Sequence, residues 1–244
     1  MALPVPFPSG GLIQQKTNQS YQRALWVPSS FDYDVFEDKF WGDLILDEYP
    51  AAKTNGTSAA RTFTEHNVNG YLELVSGTDD NGYAGQGLGH QFTGDRGVLF
   101  ECIMRTPSDI TTLKFECGLN DADDDTGAIL LKATPTFTAT DTAVFVFDTD
   151  DDTNLAFITA KAGAGVATQD ITAVTIAAST TYRFAVRIEG DSVSAWVNGL
   201  RVAGGTHAIE GGSALTPWAF CQARAGSASR TMQLHKWRVI QPAY

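Results

Sequence analysis

Two acidic runs hold the densest set of potential metal ligands in the chain. Asn120-Asp121-Ala122-Asp123-Asp124-Asp125 and Asp148-Thr149-Asp150-Asp151-Asp152-Thr153-Asn154 both place carboxylates at alternate positions. Calcium takes roughly six to eight hard oxygens, and Asp-x-Asp spacing in a loop supplies several of them. The candidate ligands are Asp121, Asp123 and Asp125, or Asp148, Asp150 and Asp152. Neither run matches an EF-hand, and Asp-rich turns between strands are commonly only solvated. No cofactor is therefore expected, with calcium the one ion these residues suit.

Groups for catalysis are sparse. Glycoside hydrolysis by retention needs two carboxylates ~5–5.5 Å apart. The strand carboxylates Glu101 and Glu116 stand singly among apolar neighbours. They read as outward-facing residues paired with Lys114 or Arg105. No Gly-x-Ser-x-Gly elbow is present, and His66, His90, His207 and His235 lack the i, i+2 or i, i+4 spacing of a zinc site. The stretch GYAGQGLG has no Lys-Ser/Thr and no following helix, so it reads as a turning loop and not a phosphate cradle. The chain is not expected to be an enzyme.

The cysteines Cys102, Cys117 and Cys221 sit in β-like runs beside apolar residues, where free cysteine packs as a small hydrophobe. A Cys102–Cys117 bridge is the alternative. In a hairpin it requires the two to lie directly opposite, because a diagonal pair is ~7–8 Å apart. Among the aromatics, Trp196 points away from the core side of its strand, and Tyr83 and Trp218 fall at or near loop ends. Tyr83 and Trp196 are the candidate glycan contacts, although an outward Trp serves equally as an interface anchor. Trp41 and Trp237 read as core.

These residues must be carried by strands. From Phe36 onward short apolar runs alternate with Gly, Asn, Asp, Ser and Thr clusters, the pattern of a sandwich or barrel. The spacing predicts strands over Trp41–Leu46, Tyr71–Val75, Gly97–Arg105, Thr112–Leu119, Ala143–Asp148, Asn154–Thr159, Thr181–Glu189, Ser192–Asn198, Pro217–Arg224 and Thr231–Ile240. In TYRFAVRIEGDSVSAWVNG, Tyr182, Phe184, Val186 and Ile188 share one face. Gly190-Asp191 makes the turn, Val193, Ala195 and Val197 return inward, and Asn198-Gly199 closes a second hairpin. Phe100, Cys102 and Met104 share a face, as do Leu113, Phe115, Cys117 and Leu119, which predicts a half-buried hairpin of these two runs. No fixed repeat and no composition break divides residues 37–244, so one core is expected.

Hydrophobic residues make up 43% of the 244 and charged residues only 18%, below the ~25% charged of an average globular chain. A net charge of −11 repels phosphate backbones, which argues against nucleic acid as a partner. No apolar run approaches the ~18 residues of a membrane span. The opening MALPVPFPSGG has no basic n-region, and Pro4, Pro6 and Pro8 interrupt it, so no signal peptide is expected and synthesis is placed in a cytoplasm. Residues 1–36 form a Pro-punctuated segment without sustained period but with large apolar groups, including Leu3, Phe7, Leu12, Ile13 and Trp26. That composition predicts an extended arm that docks on a neighbouring subunit or partner and gains order there.

Four stretches carry a resemblance: FWGDLILDEYPAAKTNGTSAA, GTDDNGYAGQGLGHQFTGDRGVLFECIMRT, TYRFAVRIEGDSVSAWVNGLRV and MQLHKWRVIQ. Together, over roughly residues 36–240, they resemble the concanavalin A-like (laminin-G-like) jelly rolls of virion structural proteins in tailed bacteriophages. The strand–Gly-Asp–strand–Asn-Gly unit is widespread in such sandwiches and speaks to fold alone. The resemblance implies an all-β, antiparallel two-sheet jelly-roll sandwich. Glycosidases of this fold carry Glu-x-Asp-x-x-Glu or Glu-x-Asp-x-Glu on a strand, and neither string occurs here. The role it implies is a capsid decoration protein in the virion, with the major capsid protein and sibling subunits as partners. That role suits a homo-oligomer of a number the sequence does not fix, and threefold sites on capsids make a trimer attractive. Binding of host glycans by a tail or fibre module is the alternative.

Overall fold

A computed structural model of the chain describes residues 33–40, 52–63, 70–89, 92–122, 127–206, 209–226 and 228–242. The strands are numbered in chain order. Sheet I runs, in spatial order, β16 (Leu200–Thr206), β15 (Ser192–Val197), β14 (Thr181–Glu189), β7 (Val98–Arg105), β18 (Thr231–Pro242), β4 (Leu72–Val75) and β3 (Ala60–Phe63), with β1 (Tyr33–Asp38) also paired to β18. Sheet II runs β13 (Ala164–Thr175), β12 (Asn154–Lys161), β11 (Thr142–Asp148), β8 (Leu113–Asn120), β17 (Ala214–Ala223), β5 (Tyr83–Gly87) and β2 (Ala52–Asn55), with β6 (Phe92–Thr93) on β17. A short pair, β9 (Ile129–Leu131) and β10 (Thr136–Phe137), stands apart from both. Every pairing is antiparallel. Among the described residues no helix is long and apolar enough to cross a membrane.

The two sheets differ in how they are covered, and the sequence pattern follows. In sheet I, β7 and β15 alternate buried and partly exposed positions, as expected of a sheet with one wet face. The hairpin β14–β15 turns at Gly190 (φ 57°), and β15–β16 turns at Asn198 and Gly199 (φ 52° and 82°), both positive as a two-residue hairpin requires. In sheet II, β8 and β11 are buried at every position. Their inner faces (Leu113, Phe115, Cys117, Leu119, Phe145, Phe147) join the main core with Phe100, Phe184 and Trp237 of sheet I. Their outer faces are covered as well. Ala128, Ile129 and Ala139 pack on Val144, Val146, Ala156 and Ile158, and Tyr83, Trp218 and Phe220 form a third cluster.

Several sequence expectations are corrected here. Residues 97–105 and 112–119 do not form a hairpin. β7 lies between β14 and β18 in sheet I, while β8 lies between β11 and β17 in sheet II. The segment joining them crosses the sandwich, tied by Thr106 Oγ1 donating to the Ala177 carbonyl at 2.6 Å. The stretch GYAGQGLG is not a turning loop but contains the buried strand β5. Its glycines make room for rings, since a Cβ at Gly85 would stand 2.9 Å from Cη2 of Trp218. The arm boundary at residue 36 falls inside β1, where Val35 is paired with Ile240 and Phe36 with Val239, Phe36 packing on the core. Leu3, Phe7, Leu12, Ile13, Trp26 and Trp41 lie outside the described residues.

Candidate functional site

Each sheet has one outward face, and the two have opposite character. On sheet II the central strand β8 presents Lys114, Glu116, Gly118 and Asn120 outward, its odd-numbered residues filling the core. Glu116 was expected to face solvent; it is fully buried, because the segment leading into β9 lies over it. Its carboxylate accepts the backbone N–H of Ala128 (2.6 Å) and of Ile129 (3.1 Å), and the indole N–H of Trp218 at 3.1 Å. Lys114 Nζ stands 3.0 Å from the same carboxylate, donates to the Ile129 carbonyl and lies 5.3 Å over the Phe220 ring. Burial pushes the Lys114 pKa down, with Glu116 opposing that shift. Gly127 (φ 85°) permits the approach, since a Cβ there would fall 2.5 Å from Glu116 Oε1.

The next carboxylate on this face, Asp148, is equally occupied. It takes a two-pronged contact from Arg224, whose Nε donates at 2.9 Å and whose Nη2 reaches the second oxygen. Such forked pairs are among the stronger charge-assisted contacts. Asp152 is bound by Lys132, which also lies 3.5 Å from Asp151. Burial alone would raise the Asp152 pKa, but hydrogen bonds from Lys132 and Asn154 outweigh it and hold the carboxyl low. Asp150 lies 3.7 Å from Arg224, and Asp121 accepts the Thr140 N–H at 2.8 Å. Arg224 and Lys132 thus stand where the spacing offered carboxylates to calcium. Asp123 and Asp125 lie outside the described residues, and among those described no three metal-type ligands gather.

Tyr83 and Trp218, expected near loop ends, are strand residues buried in the third cluster. Tyr83 stacks on Phe220 at 5.5 Å, and Trp218 on the same ring at 5.9 Å. Neither offers a sugar platform.

The outward face of sheet I is open. Strand register sets Trp196, Ala185, Glu101, Arg238 and Glu37 in one row across β15, β14, β7, β18 and β1, and Arg183, Ile103 and Lys236 in the adjacent row. Trp196 is half-buried and faces outward, as its alternation predicted, while Val193, Ala195 and Val197 are buried. A groove is lined by Glu101, Ile103, Arg183, Lys236 and Arg238. Glu101 pairs with Arg183, while Glu37 lies 3.0 Å from Lys236 and 3.9 Å from Arg238. The groove thus carries three cationic side chains, Arg183, Lys236 and Arg238, and one carboxylate, Glu101, a set that can hold a polar or anionic group. Nearby, His235 meets Tyr71 at 5.2 Å, its pKa lowered by burial and then by Arg105. His66, His90 and His207 lie outside the described residues.

Comparison with known proteins bears on the fold. No protein-family model and no curated protein matches the sequence. Among solved structures, a protein of unknown function from Shewanella oneidensis MR-1 is similar at a TM-score of 0.60 and 12% identity, over 88% of each chain. The β-glucanase of Bacillus licheniformis is similar at 0.57 and 12% identity, over 84% of this chain and 97% of its own. The carbohydrate recognition domain of Emp47p is similar at 0.55 and 9% identity, over 78% and 88%. The fold is a concanavalin A-like jelly roll. At these identities the likeness concerns fold alone, and function rests on the site. The features of this jelly roll that sequence reasoning missed are the cover over Glu116 and the cationic groove. Gly127 is a local trace of the first, and the second is assembled from three strands distant in sequence, β7, β14 and β18.

Proposed function

We propose that this jelly roll is a non-enzymatic structural module of a tailed-phage virion, a decoration protein that cements the capsid and is anchored through its N-terminal segment. The observation that carries the non-catalytic part is the state of Glu116. The one carboxylate on the central strand of sheet II is covered, accepts three N–H donors and is paired with Lys114. A glycosidase needs two carboxylates free to reach one bond, and β8 carries no second. The virion assignment is supported by the family resemblance and by the apolar, Pro-rich residues ahead of β1. In this role the protein is made in the host cytoplasm, assembles with sibling subunits and meets the major capsid protein through that segment.

The test is co-sedimentation with undecorated heads of the encoding phage, using the full chain and a chain lacking residues 1–32. Truncation must stop there, because β1 starts at Tyr33. Saturable binding by the full chain and at least a tenfold loss on truncation are expected. Equal binding by both would remove the anchor, and no binding by either would remove the capsid role.

Carbohydrate binding on a tail or fibre is the second reading. It is favoured by the outward Trp196 beside the cationic groove of sheet I and by structural neighbours that include a carbohydrate recognition domain. A glycan array that stays blank with and without calcium would discard it.

A further inference from the structure

We propose that Cys102 and Cys117 form a disulfide that ties the two sheets together through the middle of the core. Cys102 belongs to β7 in sheet I and Cys117 to β8 in sheet II, and their sulfurs face each other at 2.7 Å. That is inside the ~3.5–4.0 Å at which even carbon atoms rest without bonding. It lies well under an ångström from the ~2.05 Å of a disulfide, so small side-chain rotations close the gap. Stacked sheets lie ~10 Å apart, a separation that the inter-sheet disulfide of immunoglobulin sandwiches spans. Strand register fixes both partners laterally: Cys102 lies between Phe184 and Trp237, and Cys117 between Phe145 and Ala219. Both are buried free thiols in this structure.

The third cysteine is a built-in control. Cys221 has its sulfur 3.6 Å from the Arg230 carbonyl, and burial pushes its pKa up to about 12.

The oxidant required is a small-molecule disulfide such as glutathione disulfide. One cysteine thiolate attacks it to give a mixed disulfide and release one glutathione. The second cysteine then displaces the other, so that two protein thiols and one glutathione disulfide become one protein disulfide and two glutathione thiols. Neither sulfur is exposed, and burial holds Cys117 as the unreactive thiol. Exchange therefore proceeds before the core closes or during its opening. Once formed, the bond is shielded from reductants by the same packing.

The experiment refolds the full chain from denaturant with glutathione disulfide, and in parallel with a reductant. Denaturation, maleimide labelling, intact mass and peptide mapping follow. Three labels are expected after reducing refolding. After oxidising refolding one label is expected, on Cys221, with a linked Cys102–Cys117 peptide. The oxidised form should melt roughly 6–12 °C higher, and Cys117→Ala should abolish that difference. Three labels under both conditions, glutathione adducts on Cys102 or Cys117, or a bridge that includes Cys221 would each overturn the proposal. If Cys117→Ala fails to fold, mapping of the unmodified chain still decides.

Discussion

Replacing Glu116 with alanine is expected to destabilise the domain by about 3–5 kcal/mol, the range seen when one partner of a buried ion pair is removed. Lys114 is fully buried, so the substitution leaves an ammonium in the interior without its carboxylate. It also strips the acceptor from the Ala128 and Ile129 amides and from the Trp218 indole, and each orphaned buried donor costs about 1–3 kcal/mol. These losses overlap and do not simply add. Glu116→Gln keeps one carbonyl acceptor and should fall between. Combining Glu116→Ala with Lys114→Met should recover part of the loss, because the uncompensated charge is gone. Urea titration of the four proteins measures this. A single-variant cost under about 1 kcal/mol would mean that Glu116 is hydrated and not covered, and would reopen the case for chemistry on this face.

Gly118→Ala, two residues along the same strand, is expected to cost about 3 kcal/mol or more, at the upper end of overpacking effects. A Cβ there would stand 2.3 Å from the Ala143 carbonyl oxygen and 2.8 Å from the Val144 Cα. Both atoms are backbone of β11, paired through Val144 to Gly118, so no rotamer change relieves the clash. β8 and β11 must move apart, and both are central and buried on both faces. Gly190→Ala is a suitable contrast: nothing lies within 4 Å of its added Cβ, and only the turn's φ of 57° opposes it. Thermal melts of both variants measure the difference. A Gly118→Ala protein as stable as Gly190→Ala would show that the β8–β11 register differs from the one described.

Strand positions were readable along most of sheet I, where one face is wet, although β1 (Tyr33–Asp38) and β3 (Ala60–Phe63) went unread. In β14 and β15 the period of two places Tyr182, Phe184, Val186, Ile188, Val193, Ala195 and Val197 inward, and all are buried. Asn198-Gly199 marks its turn because few other pairs tolerate two positive φ values. Strands of small or polar residues escaped. β13 reads AGVATQDITAVT and β5 reads YAGQG; their places are set by neighbours and not by their own hydrophobicity. β5 could not be recognised without Trp218 and Phe220 lying across it.

Local sequence by itself determined the all-β class, the hairpins of sheet I and the outward turn of Trp196, because alternation and turn chemistry act over a few residues. Only the tertiary structure decided which strands share a sheet. The spacing of 97–105 and 112–119 suits a hairpin, yet burial of both faces of β8 draws it into the other sheet, and that crossing is what sets Cys102 against Cys117. The candidate sites followed the same division. The residue types of the Asp148–Asp152 run suit a cation, and whether that cation is a metal or the side chains of Arg224 and Lys132 depends on strands that meet only when the sandwich closes. Charges far apart in sequence are placed by packing, and a linear pattern carries no record of which of them meet.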